Sequence, residues 1–278
     1  METFTHIDWL SLTHSNLDGD YYPESMNRDY IATKAMNGYT EAKLFRSGVI
    51  EMMNPKYQKM GVHIIYSGKV LERLENESGI DRNYILAQHI MQGAKLTRLD
   101  IAIDVKDSGL NLDALWQELE CKNAKTKSQH SREEKGFGKG YTVYVGSRKT
   151  RRKLVRIYDK AIELGWDNID YKRIELEMRR DIARNAANSY LKSHFDNEYV
   201  NSIINGVVSF PDMQLWQEIM SNESAKIPVA ESGSGNTEKW LMRQVAPAMA
   251  RTLISSPEFA EKFNKQVSFL IEKLLNKE

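Results

Sequence analysis

Large apolar side chains recur at every second residue from Leu99 to Val105 within residues 97–105, Thr-Arg-Leu-Asp-Ile-Ala-Ile-Asp-Val. A period of two is the signature of a strand, with Leu99, Ile101, Ile103 and Val105 on one face and Asp100, Ala102 and Asp104 on the other. The alternation returns over residues 171–180, where Ile174, Leu176 and Met178 oppose Arg173, Glu175, Glu177 and Arg179. Residues 7–13 and 61–67 read as further strands, and weaker patterns at 39–45 and 49–54 read as a hairpin. Residues 141–160 give two short strands joined by a glycine-serine turn crowded with arginine and lysine. On the second of these, Arg156, Tyr158 and Lys160 share one face and Val155 and Ile157 the other. Helical periodicity marks 69–76, 81–90 and 110–120, whereas 122–140 reads as a polar loop. From Asp181, placed to cap a helix running to about residue 194, the chain turns helical, with further segments at 211–220, 238–254 and 257–276. The pattern predicts an α+β fold: a mixed, largely antiparallel sheet flanked by helices, with a helical C-terminal region. It divides the chain into a sheet-centred domain, 1–195, and a helical region, 196–278.

Composition narrows the class. A chain of 278 residues can bury a full core, and 41% hydrophobic with 28% charged residues is ordinary for a soluble globular protein. The formal charge of +1 gives no global field for a polyanion, so any such case is local. Residues 122–160 supply one: thirteen basic residues face only Glu133, Glu134 and Asp159. A solvated face explains such a run, but the neighbouring aromatic strand residues favour a polyanion. Cys121 is the single cysteine, which excludes an intramolecular disulfide and a thiolate zinc cage and fits a reducing cytosol. The N-terminus has no signal-peptide pattern, and no apolar run approaches the ~20 residues that span a bilayer; the expectation is a cytoplasmic protein with no membrane partner. No phosphate-binding loop, dinucleotide fingerprint or nucleophile elbow is present, and the histidines form no His-x-His pair.

Two elements carry candidate chemistry. Asp100 and Asp104 bracket a small alanine on one strand face and repel each other unless a cation sits between. If the two acidic strands are neighbours, Asp100, Asp104, Glu175 and Glu177 converge as an all-oxygen set suited to magnesium or manganese. Cross-strand ion pairs of Glu175 and Glu177 with Arg98, Arg156 or Arg173 are the competing arrangement. Asp8 reads as a solvent-facing strand carboxylate, with a ligand role as the alternative, and His63 as a packed, hydrogen-bonded residue. Tyr158, flanked by Arg156 and Lys160, suits phosphodiester chemistry. The cations would hold a phosphate and favour the phenolate of a group that otherwise titrates near pH ~10. A half-buried tyrosine on an ordinary basic hairpin is the alternative.

Four motifs in order complete the picture: Thr-Arg-Leu-Asp-Ile-Ala-Ile-Asp (97–104), Tyr-Val-Gly-Ser-Arg-Lys (144–149), Arg-Ile-Tyr-Asp-Lys (156–160) and Arg-Ile-Glu-Leu-Glu-Met-Arg (173–179). Together they resemble the Rep_trans replication initiators of Gram-positive rolling-circle plasmids, a group related to phage replication initiation factors and to relaxases of conjugative elements. The stretches 7–13 and 61–68 share the likeness. The resemblance implies a metal-dependent enzyme that nicks and rejoins origin DNA through a 5′-phosphotyrosine, leaving a 3′-hydroxyl to prime synthesis. Tyr158 matches the nucleophile position and Tyr144 is the reserve, with Lys160 assisting in catalysis. Asp100, Asp104, Glu175 and Glu177 would hold Mg²⁺ or Mn²⁺. Arg148, Lys149, Arg151, Arg152, Lys153, Arg156 and Arg173 would contact DNA. The implied partners are origin DNA with a single-stranded or cruciform nick site, a second copy in a homodimer, and a host replicative helicase. Relatives among the relaxases often carry a preceding helix-turn-helix domain, so the start of this chain favours plasmid or phage replication. A conjugative relaxase and a non-catalytic origin-binding protein are the other readings.

Overall fold

The computed structural model describes residues 1–17, 19–23, 26–136, 140–147, 152–220 and 227. The segments expected to be helical at 238–254 and 257–276 lie outside the described residues, as does the masked remainder of 221–278.

Along the chain, β1 (Glu2–His14) is followed by β2 (Tyr30–Ala32), β3 (Glu41–Phe45) and β4 (Ile50–Met53), then a 3-10 segment at Pro55–Met60. Next come β5 (Val62–Ser67), α1 (Gly68–Ser78), α2 (Arg82–Met91), β6 (Lys95–Lys106) and α3 (Leu112–Glu120). The strands β7 (Lys125–Thr126), β8 (Ser131–Gly136), β9 (Gly140–Val145) and β10 (Lys153–Asp159) lead to α4 (Lys160–Leu164) and β11 (Tyr171–Arg179). The described chain closes with α5 (Arg180–Lys192), α6 (Asn197–Asn205), β12 (Val208–Ser209) and α7 (Gln214–Met220).

Ten strands form one sheet in the order β2-β3-β4-β5-β1-β6-β11-β10-β9-β8, and β12 pairs with β7 separately. The described pairings are antiparallel. The region expected as a loop at 122–140 instead contributes β7 and the edge strand β8. Residues 131–136 carry no large apolar side chain, so backbone pairing with β9 organises them.

Period-two alternation splits the central strands into two faces. The apolar face, with Ile101, Ile103, Val155, Ile157, Ile174 and Leu176, is fully buried. α5 lies against β6 and β11, its buried Ala183, Ala186 and Ala187 being small enough to let the helix sit close, with Tyr190 buried beside them. Val200, Ile203 and Ile204 of α6 and Trp216 of α7 belong to the same buried cluster. At the start of α5, Asp181 lies in the first turn, and the cap position is Arg179 with no side-chain cap bond. The other face of the central strands is polar, and it carries the candidate site.

Candidate active site

Register fixes which polar side chains meet. Phe4, Asp104, Arg173, Tyr158 and Thr142 occupy one row across β1, β6, β11, β10 and β9. The next row holds His6, Ala102, Glu175, Arg156 and Tyr144, and the one after it Trp9, Asp100, Glu177 and Leu154. A β-bulge between Ile7 and Trp9 breaks the alternation of β1. It brings Asp8 and Trp9 both to the cavity above this face. That cavity, of about 830 Å³, is lined from β1, β6, β9, β10, β11, α1 and α4, with Tyr158 on its floor.

Asp159 explains why the chain turns directly after Tyr158: its carboxylate accepts from the Ile162 N–H and caps α4. Lys160 thereby becomes the first helical residue instead of a strand residue, yet it still lines the cavity. Its ammonium stands 5.8 Å from the centre of the Tyr158 ring and pairs with Glu163 at 3.0 Å. The Tyr158 hydroxyl donates to Glu175 Oε2 at 3.4 Å. Burial pushes its phenol well above the ordinary value, and the Glu175 charge adds to that against Arg173. The expected depression of this pKa by neighbouring cations is thus not met. The flanking guanidiniums are already committed to carboxylates.

Those commitments are specific. Arg156 pairs with Glu175 and lies 3.9 Å from Asp100, while its Nε is buried with no hydrogen-bond partner. Arg173 donates to Asp104 from Nε at 2.5 Å and from Nη2 at 2.8 Å, and reaches Asp8 with Nη1 at 2.5 Å. Arg98 binds Asp100 at 2.5 Å and Glu177 at 3.2 Å, and Arg179 binds Glu177 at 2.5 Å. Burial raises the Asp100 carboxyl, opposed by Arg98 and reinforced by Glu175 and Glu177. Burial also works against ionisation of Asp8, but His6, Arg173 and Lys160 outweigh it and hold Asp8 below the usual carboxylate range.

The four carboxylates expected to share a cation therefore divide. Asp104 and Glu175 line the cavity; Asp100 and Glu177 do not, and are held by Arg98 and Arg179. Two residues outside that set join the cavity pair. His6 Nε2 lies 3.7 Å from Asp8 Oδ1, and its Nδ1, 3.8 Å from Asp104 Oδ2, is buried without a hydrogen-bond partner. Among the described residues no group of three or more His, Cys, Asp or Glu stands in metal-binding geometry. The His6 ring lies between Asp8 and Asp104, both paired with Arg173, and its Nδ1 would add one nitrogen donor to their oxygens, a set that suits Mn²⁺ better than the oxygen-seeking Mg²⁺.

Of the expected DNA-binding residues, Arg156 and Arg173 line the cavity. Arg148, Lys149 and Arg151 lie outside the described residues. Arg152 and Lys153 line a separate cleft with Lys127 and His130, and Lys153 has the strand parity of Val155, facing away from Tyr158. Tyr144 reaches the cavity in the row of Arg156, donates to Glu134 at 3.0 Å and lies under the Arg132 guanidinium. Sequence reasoning missed His6 and Tyr171, whose hydroxyl donates to Asp104 at 2.6 Å. It set a solvent-facing role for Asp8 ahead of a ligand role. The spacing His-x-Asp at 6–8 was the available signal, hidden because the strand was expected to start at residue 7.

Residues 94–266 match the family described as Replication initiation factor. The chain belongs to that family. Fold comparison agrees with the family assignment: a rolling circle replication initiator protein from Geobacillus stearothermophilus superposes with a TM-score of 0.66, covering 82% of this chain and 100% of that one at 17% identity. A curated relative, the putative DNA relaxase NicK of Bacillus subtilis (strain 168), is 26% identical over 226 residues. That alignment takes in 74% of this chain and spans 64% of the relative's length. The family match begins at residue 94 and so takes in β6, β10 and β11 but leaves out β1. Within this family member, then, His6 and Asp8 come from a strand ahead of the matched segment.

Proposed function

We propose that this chain initiates rolling-circle replication by nicking and rejoining one strand of origin DNA through Tyr158. The observation that carries the reading is the placement of Tyr158 on the cavity floor, in the row of Arg173 and beside Glu175, Arg156 and Lys160. In the proposed step the Tyr158 oxygen attacks the scissile phosphorus, and its proton passes to the Glu175 carboxylate 3.4 Å away. The phosphorus–O3′ bond breaks and the leaving oxygen takes up a proton from water, leaving the 5′-phosphate on tyrosine and a 3′-hydroxyl. Rejoining runs the same exchange backwards. The unpartnered Nε of Arg156 and the Lys160 ammonium are the donors for the non-bridging oxygens. Because the phenol is held protonated by burial, a base beside it is needed, and Glu175 is the carboxylate in reach.

His6, Asp8 and Asp104 are the residues that would hold Mg²⁺ or Mn²⁺, with Glu175 alongside. The ion would supply polarisation of the phosphate and offset charge that develops in the transition state. Asp100 and Glu177, in this reading, keep β6 and β11 in register and are not ligands. Origin DNA presented as a single strand or cruciform is the substrate; a homodimer and a host helicase belong to the same proposal. The likeness to a relaxase favours a second reading with identical chemistry, conjugative transfer.

The test is a supercoiled plasmid carrying the cognate origin, incubated with Mg²⁺ or Mn²⁺ and resolved on denaturing gels. Wild type is expected to give nicked product and a covalent 5′ adduct, and Tyr158→Phe neither. Adduct in both proteins would move the role to Tyr144, and origin binding without adduct in either would favour the non-catalytic binding protein.

A further inference from the structure

Part of the cavity lining is apolar. Phe4, Leu164 and Trp166 line it with relative exposures of 60%, 40% and 45%, and the Phe4 ring stacks on His6 at 5.4 Å. Tyr171 joins them, its ring 5.9 Å from that of Trp166 and 5.2 Å from the Lys106 ammonium. Lys160 lines the same cavity. Large rings left in water beside cations have a cost that a folded domain ordinarily avoids by burying them.

Trp166 is also fixed. α4 ends at Gly165 in the left-handed conformation, φ 72°, and the Trp166 N–H returns to the Ala161 carbonyl at 2.9 Å. This closing bond is the Schellman arrangement. It fixes the backbone at Trp166, and the indole stands near the Tyr171 ring. Phe4 is fixed from the other side, opposite Asp104 in the pairing of β1 with β6. The carboxylates Glu72 and Glu75 line the cavity from α1, which packs on β1 and β5, whereas α4 packs on β11. Trp166 and Tyr171, on the α4 and β11 side, are therefore the rings with Lys106 and Lys160 beside them, although Glu163 is on α4 too, and Phe4 stands on β1.

We propose that Phe4 and Trp166 form a stacking platform for unpaired bases of single-stranded DNA next to the phosphate that Tyr158 attacks. This rests on the nicking reading for its location. A π-face accepts any base, and the adjacent ammonium groups match the backbone. A paired base has no free face to offer, so the platform discriminates single strands from duplex and favours a site where the origin is already melted or extruded.

The experiment titrates full-length wild type, Trp166→Ala, Trp166→Phe and Phe4→Ala with a deoxythymidine 12-mer containing one 2-aminopurine, as single strand and as duplex. Fluorescence quenching reports stacking, and circular dichroism confirms that each variant is folded. Wild type is expected to bind the single strand more tightly and quench the probe. Trp166→Ala and Phe4→Ala should each weaken single-strand binding about fivefold or more, and Trp166→Phe should retain most of it, with duplex affinity unchanged. No single-strand binding by wild type, equal losses on both DNAs, or no loss in the alanine variants would overturn the platform. Adduct formation is read separately on origin plasmid. Its absence in wild type, with ring-dependent binding intact, would overturn the nicking reading alone.

Discussion

Gly68 shows how little room the site leaves. A Cβ at this residue would stand 2.7 Å from Asp8 Oδ1 and 2.9 Å from the Asp8 carbonyl oxygen. A carboxylate tip can turn aside, but the backbone oxygen belongs to the β-bulge itself and cannot. Gly68→Ala is therefore expected to displace Asp8 from His6 and Arg173 and to slow adduct formation by about tenfold, ~1.4 kcal/mol of activation free energy. The urea midpoint should fall as well, because the bulge backbone has to shift. Unchanged nicking would show that Asp8 has no part in the site. His6 gives a sharper test of the metal assignment: His6→Gln should raise the Mn²⁺ concentration needed for half-maximal adduct by about ten- to a hundredfold. Chelation by EDTA should abolish the adduct in wild type, and added Mn²⁺ should restore it.

At the scale of elements, the pairing of β6 with β11 joins the two acidic strands through arginines. Asp100 is 1% exposed and depends chiefly on Arg98. Removing one partner of a buried pair leaves an uncompensated charge, so Arg98→Ala should cost about 3 kcal/mol in chemical denaturation. The double substitution Arg98→Met with Asp100→Leu should cost markedly less. A similar loss in both proteins would mean that the ion pair is not what matters there. The same two strands show what was legible in the sequence. Period two revealed both faces of these strands and placed Asp104 and Glu175 on the polar side, as it did Arg156 and Tyr158 on β10. What alternation cannot express is the partner chosen by each carboxylate, because an arginine and a metal ion satisfy the same pattern. β8 escaped notice for a simpler reason. An edge strand of Ser-Arg-Glu-Glu-Lys-Gly has no buried face, hence no alternation to read. Asp8 and Trp9 were obscured by the bulge, which puts consecutive residues on one cavity and defeats a rule built on period two.

For the whole molecule, the imidazoles inside the core set a limit at low pH. His14 Nε2 and His89 Nδ1 lie 2.9 Å apart, and His89 Nε2 meets the Tyr66 hydroxyl at 2.8 Å. Burial pushes His14 down to about 4 and His89 to about 3, the latter also opposed by His14. Between the unfolded value near ~6.5 and these folded values, the unfolded chain binds more protons. Stability contributed by the neutral pair is therefore complete above that window and lost as pH falls through it. Urea midpoints from pH 7 to pH 4 should decline in wild type and decline less steeply in His89→Gln; parallel slopes would count against the histidine pair as the cause.

The position of Tyr158 within the sheet has one more consequence. It projects from inside β10, between β9 and β11, which are hydrogen-bonded along both edges of that strand. A nucleophile on a loop can follow its target, whereas one built into a sheet stays at a fixed address. In the proposed reaction the molecule then works as a jig. The captured 5′ end is parked at one spot on a stiff floor, and a returning 3′ end finds it where it was left. Which bond is cut, and how faithfully the circle closes, is set by where the DNA is seated and not by how far the tyrosine can swing.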